Sequence, residues 1–391
     1  MSRSDAGLPE HLLAAAAELE PFDYVPAAAR ADVPDYLLEA LRRYVADAHA
    51  ANTVRAYTSD WARFAAWCTA HDLQILPATP ETVALYLVAA AEAVDDRGCP
   101  VTKAATLTRW AAAINTVHRA RGYPAPGSDS LVRQVLRGIR RARTEATGAK
   151  KALLLADLKH LLRQLPAEEW PTGVLRRRDR FILLAGFAGA FRRSELASLD
   201  VTDIALHHAD GLHIRLRRSK TDQNATGRTV ALPYGSHSET CPVCAYLDWR
   251  AVLDLADRYG PDAVHPYLDH TPTVPTNRHT CRDQTGATVE DLPGDRPLFR
   301  PVTRHGHIRL TRLSPAAIAA VVQRHAARAG LNPDHYAGHS LRAGFVTQAA
   351  RNKAPATAIM RQTGHKSYAM VDRYIREADP LAGNAVTELG L

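Results

Sequence analysis

GHSLRAGF (residues 338–345) and GHKSYAMVDRYIR (residues 364–376) carry more information than any other part of this chain. His339 and Arg342 stand three apart, His365 follows, and Tyr374 comes nine residues after that histidine. At a spacing of three, an imidazole and a guanidinium share one face of a helical turn and converge on one point. The guanidinium is permanently charged, and its planar fork of donors suits two non-bridging phosphate oxygens. The histidines titrate near neutrality, and a tyrosine hydroxyl is able to hold a covalent intermediate. Together these groups imply phosphoryl transfer through a phosphotyrosine.

Taken singly, each feature has a plainer reading. A His-x-x-Arg pair is usually a solvated helix face, and a tyrosine near a C-terminus is usually half-buried packing. The signal sharpens because further parts of one site appear upstream. GFAGAFRRSELASLD (residues 186–200) ends an apolar helix (Phe181, Ile182, Leu183, Leu184, Ala185, Phe187) and turns into a second helix at Ser194, with Arg192 and Arg193 in the turn. LHIRLRRSKTDQNATGRTVALP (residues 212–233) alternates as a strand through Leu212, Ile214 and Leu216, then turns through Asp222, Asn224 and Gly227 into a second strand, Thr229 to Leu232. That pattern predicts a hairpin with Lys220 at its tip. Such a lysine is ordinarily surface decoration, but it also has the reach of a general acid.

With these segments in place, the chain resembles the tyrosine recombinases of the phage-integrase family, in a layout closest to the Cre-like members. The family's first arginine motif matches FRRSEL, with Arg192 as the carried-over arginine and Glu195 as the acid that follows it. The hairpin lysine matches Lys220, the His-x-x-Arg box matches His339 and Arg342, the late His/Trp position matches His365, and the nucleophile matches Tyr374. The resemblance spans roughly residues 35 to 391. It departs at Arg193, where an apolar residue is usual, and at residues 254–295, which are longer than a compact member needs.

The resemblance implies a mainly α fold with a small antiparallel β-sheet, in which a helical core-binding domain and a mixed α/β catalytic domain form a C-shaped clamp on DNA. It implies cutting and rejoining of duplex DNA through a 3′-phosphotyrosyl bond, in integration, excision or resolution of a DNA element, with no cofactor and no metal. The partners implied are double-stranded DNA carrying inverted-repeat sites and three further copies of the chain on paired sites. The apolar tail Ala382, Ala385, Val386, Leu389 and Leu391 would pack on a neighbouring subunit of that tetramer. Two rivals are a type IB topoisomerase-like nicking-resealing enzyme and a DNA-binding regulator that does not cleave. The tail argues against the first, and the presence of a nucleophile argues against the second.

Composition is consistent with this. The chain has 391 residues, a length comfortable for two domains, and 46% hydrophobic content supports substantial cores. No apolar run approaches a membrane span, and the N-terminus lacks the pattern of a signal peptide. Five scattered cysteines suggest a reducing cytoplasm rather than a disulfide framework, and the resemblance implies a bacterial or phage protein associated with the nucleoid. The net charge of +8 is segregated: residues 103–143 hold nine cations against Asp129 alone, whereas residues 1–102 hold fifteen acids against seven arginines. Cations concentrated in this way imply a phosphate-tracking surface. Arg55, Thr106, Arg109, Arg133, Arg137, Arg140 and Arg141 are the candidate DNA-contacting residues.

The periodicity predicts a tail over residues 1–32, a helical domain over 33–143, a linker over 144–151 (TEATGAKK) and a catalytic domain over 152–391. One helix opens near Asn52 or Thr53 and carries Val54, Tyr57, Trp61, Phe64, Ala65 and Cys68. Another, near 106–119, buries Leu107, Trp110, Ile114 and Val117. A third, over 130–143, buries Leu131, Val135, Leu136 and Ile139. The aromatics read as core. Cys241-Pro-Val-Cys244, with His279 and Cys281 downstream, is a weak zinc signal on spacing alone. The plainer expectation is that Cys241 and Cys244 are small apolar residues opening a helix with Tyr246, Leu247 and Trp249.

Overall fold

Alternating blocks of helical periodicity fold as helices around two separate cores, one before and one after residue 146. The computed structural model describes residues 34–143, 150–166, 169–217, 227–270, 279–282, 296–378 and 389. Contacts divide the chain into two compact units, Met1–Ala146 and Thr147–Leu391.

The first unit contains α1 (Asp35–Asp47), α2 (Ala51–Ala70), α3 (Pro80–Glu92), α4 (Ala104–Ala120) and α5 (Ser130–Ala142). Its core is built where the heptad-like spacing puts large side chains on one face: Trp61, Phe64 and Cys68 of α2 meet Val83 and Leu87 of α3 and Leu107, Ile114 and Val117 of α4. Thr79 caps α3 through the backbone N–H of Thr82, and Asp129 caps α5 through that of Leu131, each removing an orphan donor from the first turn. Arg143 donates to the carbonyls of Thr102 and Ala91, tying the end of α5 back to its neighbours.

One expectation is corrected here. Leu131 is 38% exposed, and Val132 is the fully buried residue in its place. The Asp129 cap starts the helix at Ser130, and from that start Val132 and Leu136, four apart, face the core.

The second unit begins with an extended segment whose Lys151 and Leu153 N–H groups donate to His335 and Ser340 carbonyls. The described part of the expected linker, residues 150 and 151, is therefore bonded to this second unit, while 144–149 lie outside the described residues. Then come α6 (Leu155–Arg163), α7 (Thr172–Ala188), α8 (Arg193–Ser198), strands β1 (Ile204–His207), β2 (Gly211–Leu216) and β3 (Arg228–Leu232), α9 (Pro242–Tyr259), α10 (Val264–His270), α11 (Pro315–Arg328), α12 (Gly338–Arg351), α13 (Ala356–Thr363) and α14 (Tyr368–Ala378). The sheet is antiparallel in the order β1-β2-β3, with Ile204 opposite Ile214 and Ile214 opposite Val230. The expected hairpin is thus β2–β3, and β1 adds a strand that the sequence reading did not anticipate. The fold is mainly helical with one small antiparallel sheet.

Helix α7 runs through the middle of this unit, and its burial includes the charges Arg177, Arg178, Asp179 and Arg180 as well as Phe181 to Ala185. Asp179 accepts from Arg178 at 2.7 Å, Arg324 at 2.8 Å and His325 at 2.8 Å. Burial alone would raise its carboxyl, but these three partners override it and hold it near 2. Arg180 is matched by Asp248 at 2.7 Å. Gly344 in α12 admits the extended segment, since a Cβ there would lie 1.8 Å from the Leu153 carbonyl oxygen. Of the segment that looked long, α9 extends to Tyr259 and α10 follows. No helix among the described residues is long and apolar enough to cross a membrane.

Candidate active site

Arg192 is delivered by the turn that ends α7. Ala190 there adopts a left-handed backbone (φ 48°), which is strained for a residue with a Cβ. Its carbonyl accepts from Arg342 Nη1 at 2.7 Å. Arg192 then caps α8, and Glu195 closes the loop twice: Oε2 accepts the Arg192 backbone N–H at 2.8 Å, and Oε1 accepts its Nη1 at 2.6 Å. Glu195 is 2% exposed. Arg193 points into solvent, which accounts for a charged residue at a position where an apolar one is usual.

Helix α12 places His339 and Arg342 on one face, as the spacing predicts. Arg342 is 1% exposed, and its Nη2 is buried with no hydrogen-bond partner among the described residues. Such an orphan donor costs about 1–3 kcal/mol unless a ligand takes it. His339 Nε2 lies 3.0 Å from Tyr374 Oη. Tyr374 reaches that point because Val371, one turn earlier on α14, is fully buried against Val346 and Ile359. Tyr368, the rival phenol, is 57% exposed.

His365 follows Gly364, whose left-handed conformation (φ 69°) ends α13 and turns the chain back. His365 Nδ1 sits 2.9 Å from Thr363 Oγ1, while that hydroxyl lies 2.8 Å from the Ile359 carbonyl. The hydroxyl has one proton, and the carbonyl can only accept. Thr363 therefore donates to Ile359 and accepts from His365 Nδ1–H, which leaves Nε2 without a hydrogen-bond partner among the described residues.

The structure thus brings Arg192, Glu195, His339, Arg342, His365 and Tyr374 of one chain together. Lys220 lies outside the described residues. The strand before it is anchored, since Arg217 donates to Asp203 at 2.6 Å and to Asp200. Arg228 is a member the sequence reading missed. It opens β3, lies 3.9 Å from Glu195 and donates to the Gln362 carbonyl at 2.9 Å. In the sequence Arg228 merely precedes the expected strand Thr229 to Leu232, and its pairing with Leu216 across β2 and β3 appears only in the structure.

Among the described residues, three guanidiniums (Arg192, Arg228, Arg342) against one carboxylate (Glu195) leave a surplus of two positive charges, and the histidines respond to it. Burial, then Arg342 and Arg192, lower His339. Burial followed by Arg342, Arg192, His339 and Arg228 push His365 down to about 4. Arg342 itself falls to about 10, through burial first and then Arg192, and stays charged at neutral pH. Both histidines are accordingly neutral at pH 7, beside a pocket of fixed cations shaped for an anion.

This sets a pH dependence of known sign. A histidine in the unfolded chain binds its proton near pH ~6.5. Folded His365 resists protonation until about pH 4, so the folded state loses stability as pH falls between those values, by about 3 kcal/mol for this group. Urea unfolding at pH 7 and pH 4.5 is expected to show that loss, and His365→Asn is expected to flatten it. An unchanged pH slope in the variant would assign the loss to other groups.

The cations named from sequence lie on the first unit. Arg55, Arg133, Arg137, Arg140 and Arg141 are exposed, and Thr106 is half-buried. Arg109 is held by a two-pronged pair with buried Asp60 (Nε–Oδ2 2.8 Å, Nη2–Oδ1 3.0 Å), so its direction is fixed rather than free.

A phenol in contact with a neutral imidazole, beside buried cations with an open donor, suits phosphoryl transfer through a covalent tyrosine ester. The comparisons with known proteins give that chemistry its setting. The phage integrase family model matches residues 281–380. An integrase/recombinase XerD homolog of Selenomonas ruminantium is 34% identical over 351 residues, covering 89% of this chain and 88% of its own. The Cre recombinase of Escherichia phage P1 is 25% identical over 328 residues, 83% of each chain. A XerH site-specific recombinase bound to palindromic difH DNA in a post-cleavage complex shares the fold, with TM-score 0.52, 13% identity and coverage of 96% of this chain and 94% of that one. The chain belongs to the phage integrase family and is a site-specific tyrosine recombinase acting on DNA. Membership decides among the three readings above in favour of the recombinase.

Proposed function

We propose that Tyr374 attacks the scissile phosphate to form a 3′-phosphotyrosyl bond. Neutral His339 takes the phenol proton through Nε2, and the 3.0 Å contact between them is the observation that carries this reading. Arg192 and Arg342 stabilise the charge that grows on the non-bridging oxygens, with the Nη2 of Arg342, which has no partner among the described residues, directed to one of them. Glu195 orients Arg192. His365 turns Nε2 toward the phosphate and becomes a donor once the bound anion offsets the surrounding cations. Lys220 protonates the departing 5′-oxygen. The ester conserves the energy of the broken bond, so a 5′-hydroxyl from a second duplex reseals it without nucleotide hydrolysis. Trapping a covalent adduct on a suicide substrate tests the cleavage step, and exchange between two marked sites tests strand transfer.

The finer parts of the proposal concern the DNA and the assembly. The chain recognises inverted-repeat sites in the cytoplasm, at the nucleoid of a bacterium or a phage-infected cell, and four copies join on paired sites. Residues 33–143 serve as the core-binding domain, and the basic face of α5 tracks phosphates. Replacing Arg137 and Arg141 together is expected to weaken binding to all DNA sequences and to reduce the log–log salt slope by about one unit per lost phosphate contact. A double variant with the parent's affinity and slope would show that this face meets solvent instead.

The tail from 382 to 391 lies outside the described residues except for Leu389, which is 64% exposed. We expect removal of residues 382–391 to spare single-site binding and to abolish the four-copy complex, because a head-to-tail ring needs each subunit's contribution. Sedimentation on two-site DNA reads this directly. A truncated protein that still forms the large complex would place the tail on its own subunit.

A further inference from the structure

Away from the strand-transfer chemistry, four ligand-type atoms converge at the start of α9. Cys241 is the N-cap of that helix, and Cys244 lies on its first turn. Cys281 lies in a short turn, Thr280–Arg282, and His279 immediately precedes it, 35 to 40 residues later in the chain. Cys241 Sγ is 3.9 Å from Cys281 Sγ. Cys244 Sγ is 3.6 Å from His279 Nδ1, and Cys281 Sγ is 3.7 Å from the same nitrogen. All four atoms lie within 4.8 Å of one another.

The three separations of 3.6 to 3.9 Å are close to the edges of a metal tetrahedron. With Zn–S near 2.3 Å and Zn–N near 2.0–2.1 Å, tetrahedral angles place two sulfurs about 3.8 Å apart and a sulfur and a nitrogen about 3.6 Å apart. Buried thiols packed merely as small apolar groups have no reason to gather around one imidazole nitrogen. The surroundings also suit thiolates. The Gly235 N–H donates to Cys241 Sγ at 3.3 Å, the kind of backbone contact that supports a metal-bound sulfur. A Cβ at Gly235 would lie 2.7 Å from Cys241 Cα, so the glycine permits that approach. The three cysteines are 0–2% exposed.

We propose that Cys241, Cys244, His279 and Cys281 bind one zinc ion in a closed structural site that fastens residues 279–282 to the start of α9. Three soft thiolates and an imidazole select zinc over the hard divalent ions, and four protein ligands leave no open position for catalysis. Helix α9 lies along α7, whose end delivers Ala190 and Arg192. The ion therefore supports the scaffold that carries the site and takes no part in strand transfer.

The test uses the full chain, purified under reducing conditions without chelator and analysed by mass spectrometry for metals. One zinc per chain is expected, retained in Cys99→Ser, whose thiol is exposed and outside the cluster, and lost in Cys244→Ser. Stripping zinc with a strong chelator is expected to lower Tm by about 5–10 °C, and added zinc to restore it. In case Cys244→Ser fails to fold, Co²⁺ is loaded into the native protein, where a three-sulfur tetrahedral site gives intense visible ligand-field bands and sulfur-to-metal charge transfer. Protein without metal whose Tm ignores both chelator and added zinc would overturn the proposal. So would a stoichiometric metal other than zinc, or zinc that persists in Cys244→Ser.

Discussion

Tyr374→Phe is expected to bind DNA with the parent's affinity and to form no covalent adduct, with strand exchange reduced by at least about 10⁴-fold. Only the hydroxyl is lost. The ring keeps its packing beside Val346 and Ile359, and Val371 continues to seat α14, so folding and DNA contact remain. The local geometry separates this tyrosine from Tyr368, which is 57% exposed, whereas Tyr374 lies 3.0 Å from His339. An adduct that survives Tyr374→Phe and disappears with Tyr368→Phe would move the nucleophile.

Arg342→Ala carries the second largest expected effect, a fall of about 10²–10³-fold in the rate of cleavage, the usual consequence of removing one preorganised donor from a developing anion. Arg342→Lys is expected to recover little, because an ammonium is a point charge and cannot hold the Ala190 carbonyl, as Arg342 Nη1 does, while also offering a second donor in the same plane to a phosphate oxygen. Stability should respond differently. Arg342 is surrounded by Arg192 and Arg228 with Glu195 as the opposing charge, so its removal relieves repulsion and offsets the lost packing. Tm close to the parent's, beside a collapsed rate, is the expected pair of results. A rate that falls only in step with the fraction folded would reduce Arg342 to a structural residue.

Much of this molecule was legible in its sequence because the informative interactions are local. The His339–Arg342 face, the hairpin through Leu212 and Val230, the core positions Trp61, Phe64 and Leu107, and the turn carrying Arg192 all depend on spacings within a helix or strand, and spacing is what a sequence displays. Strand β1 was missed because Ile204–His207 is only four residues long, too short for its alternation to stand out. It exists through pairing with β2. The phase of α5 was misjudged by one residue at Leu131, since a cap and a distant core, not the apolar pattern, decide which of two adjacent aliphatics turns inward.

The sequence by itself determined the residue types of the phosphoryl-transfer chemistry, the helical and strand segments that carry them, and the segregation of charge. Tertiary structure decided the matters that depend on partners far along the chain. It buried Arg178, Asp179 and Arg180 in the middle of α7, where charges are tolerated because Arg324, His325 and Asp248 meet them. It brought Arg228 to Glu195, set Arg109 on Asp60, and gathered Cys241, Cys244, His279 and Cys281 into one cluster. Each of these rests on a side chain finding a complementary group dozens of residues away, and no local periodicity records which group the fold will supply.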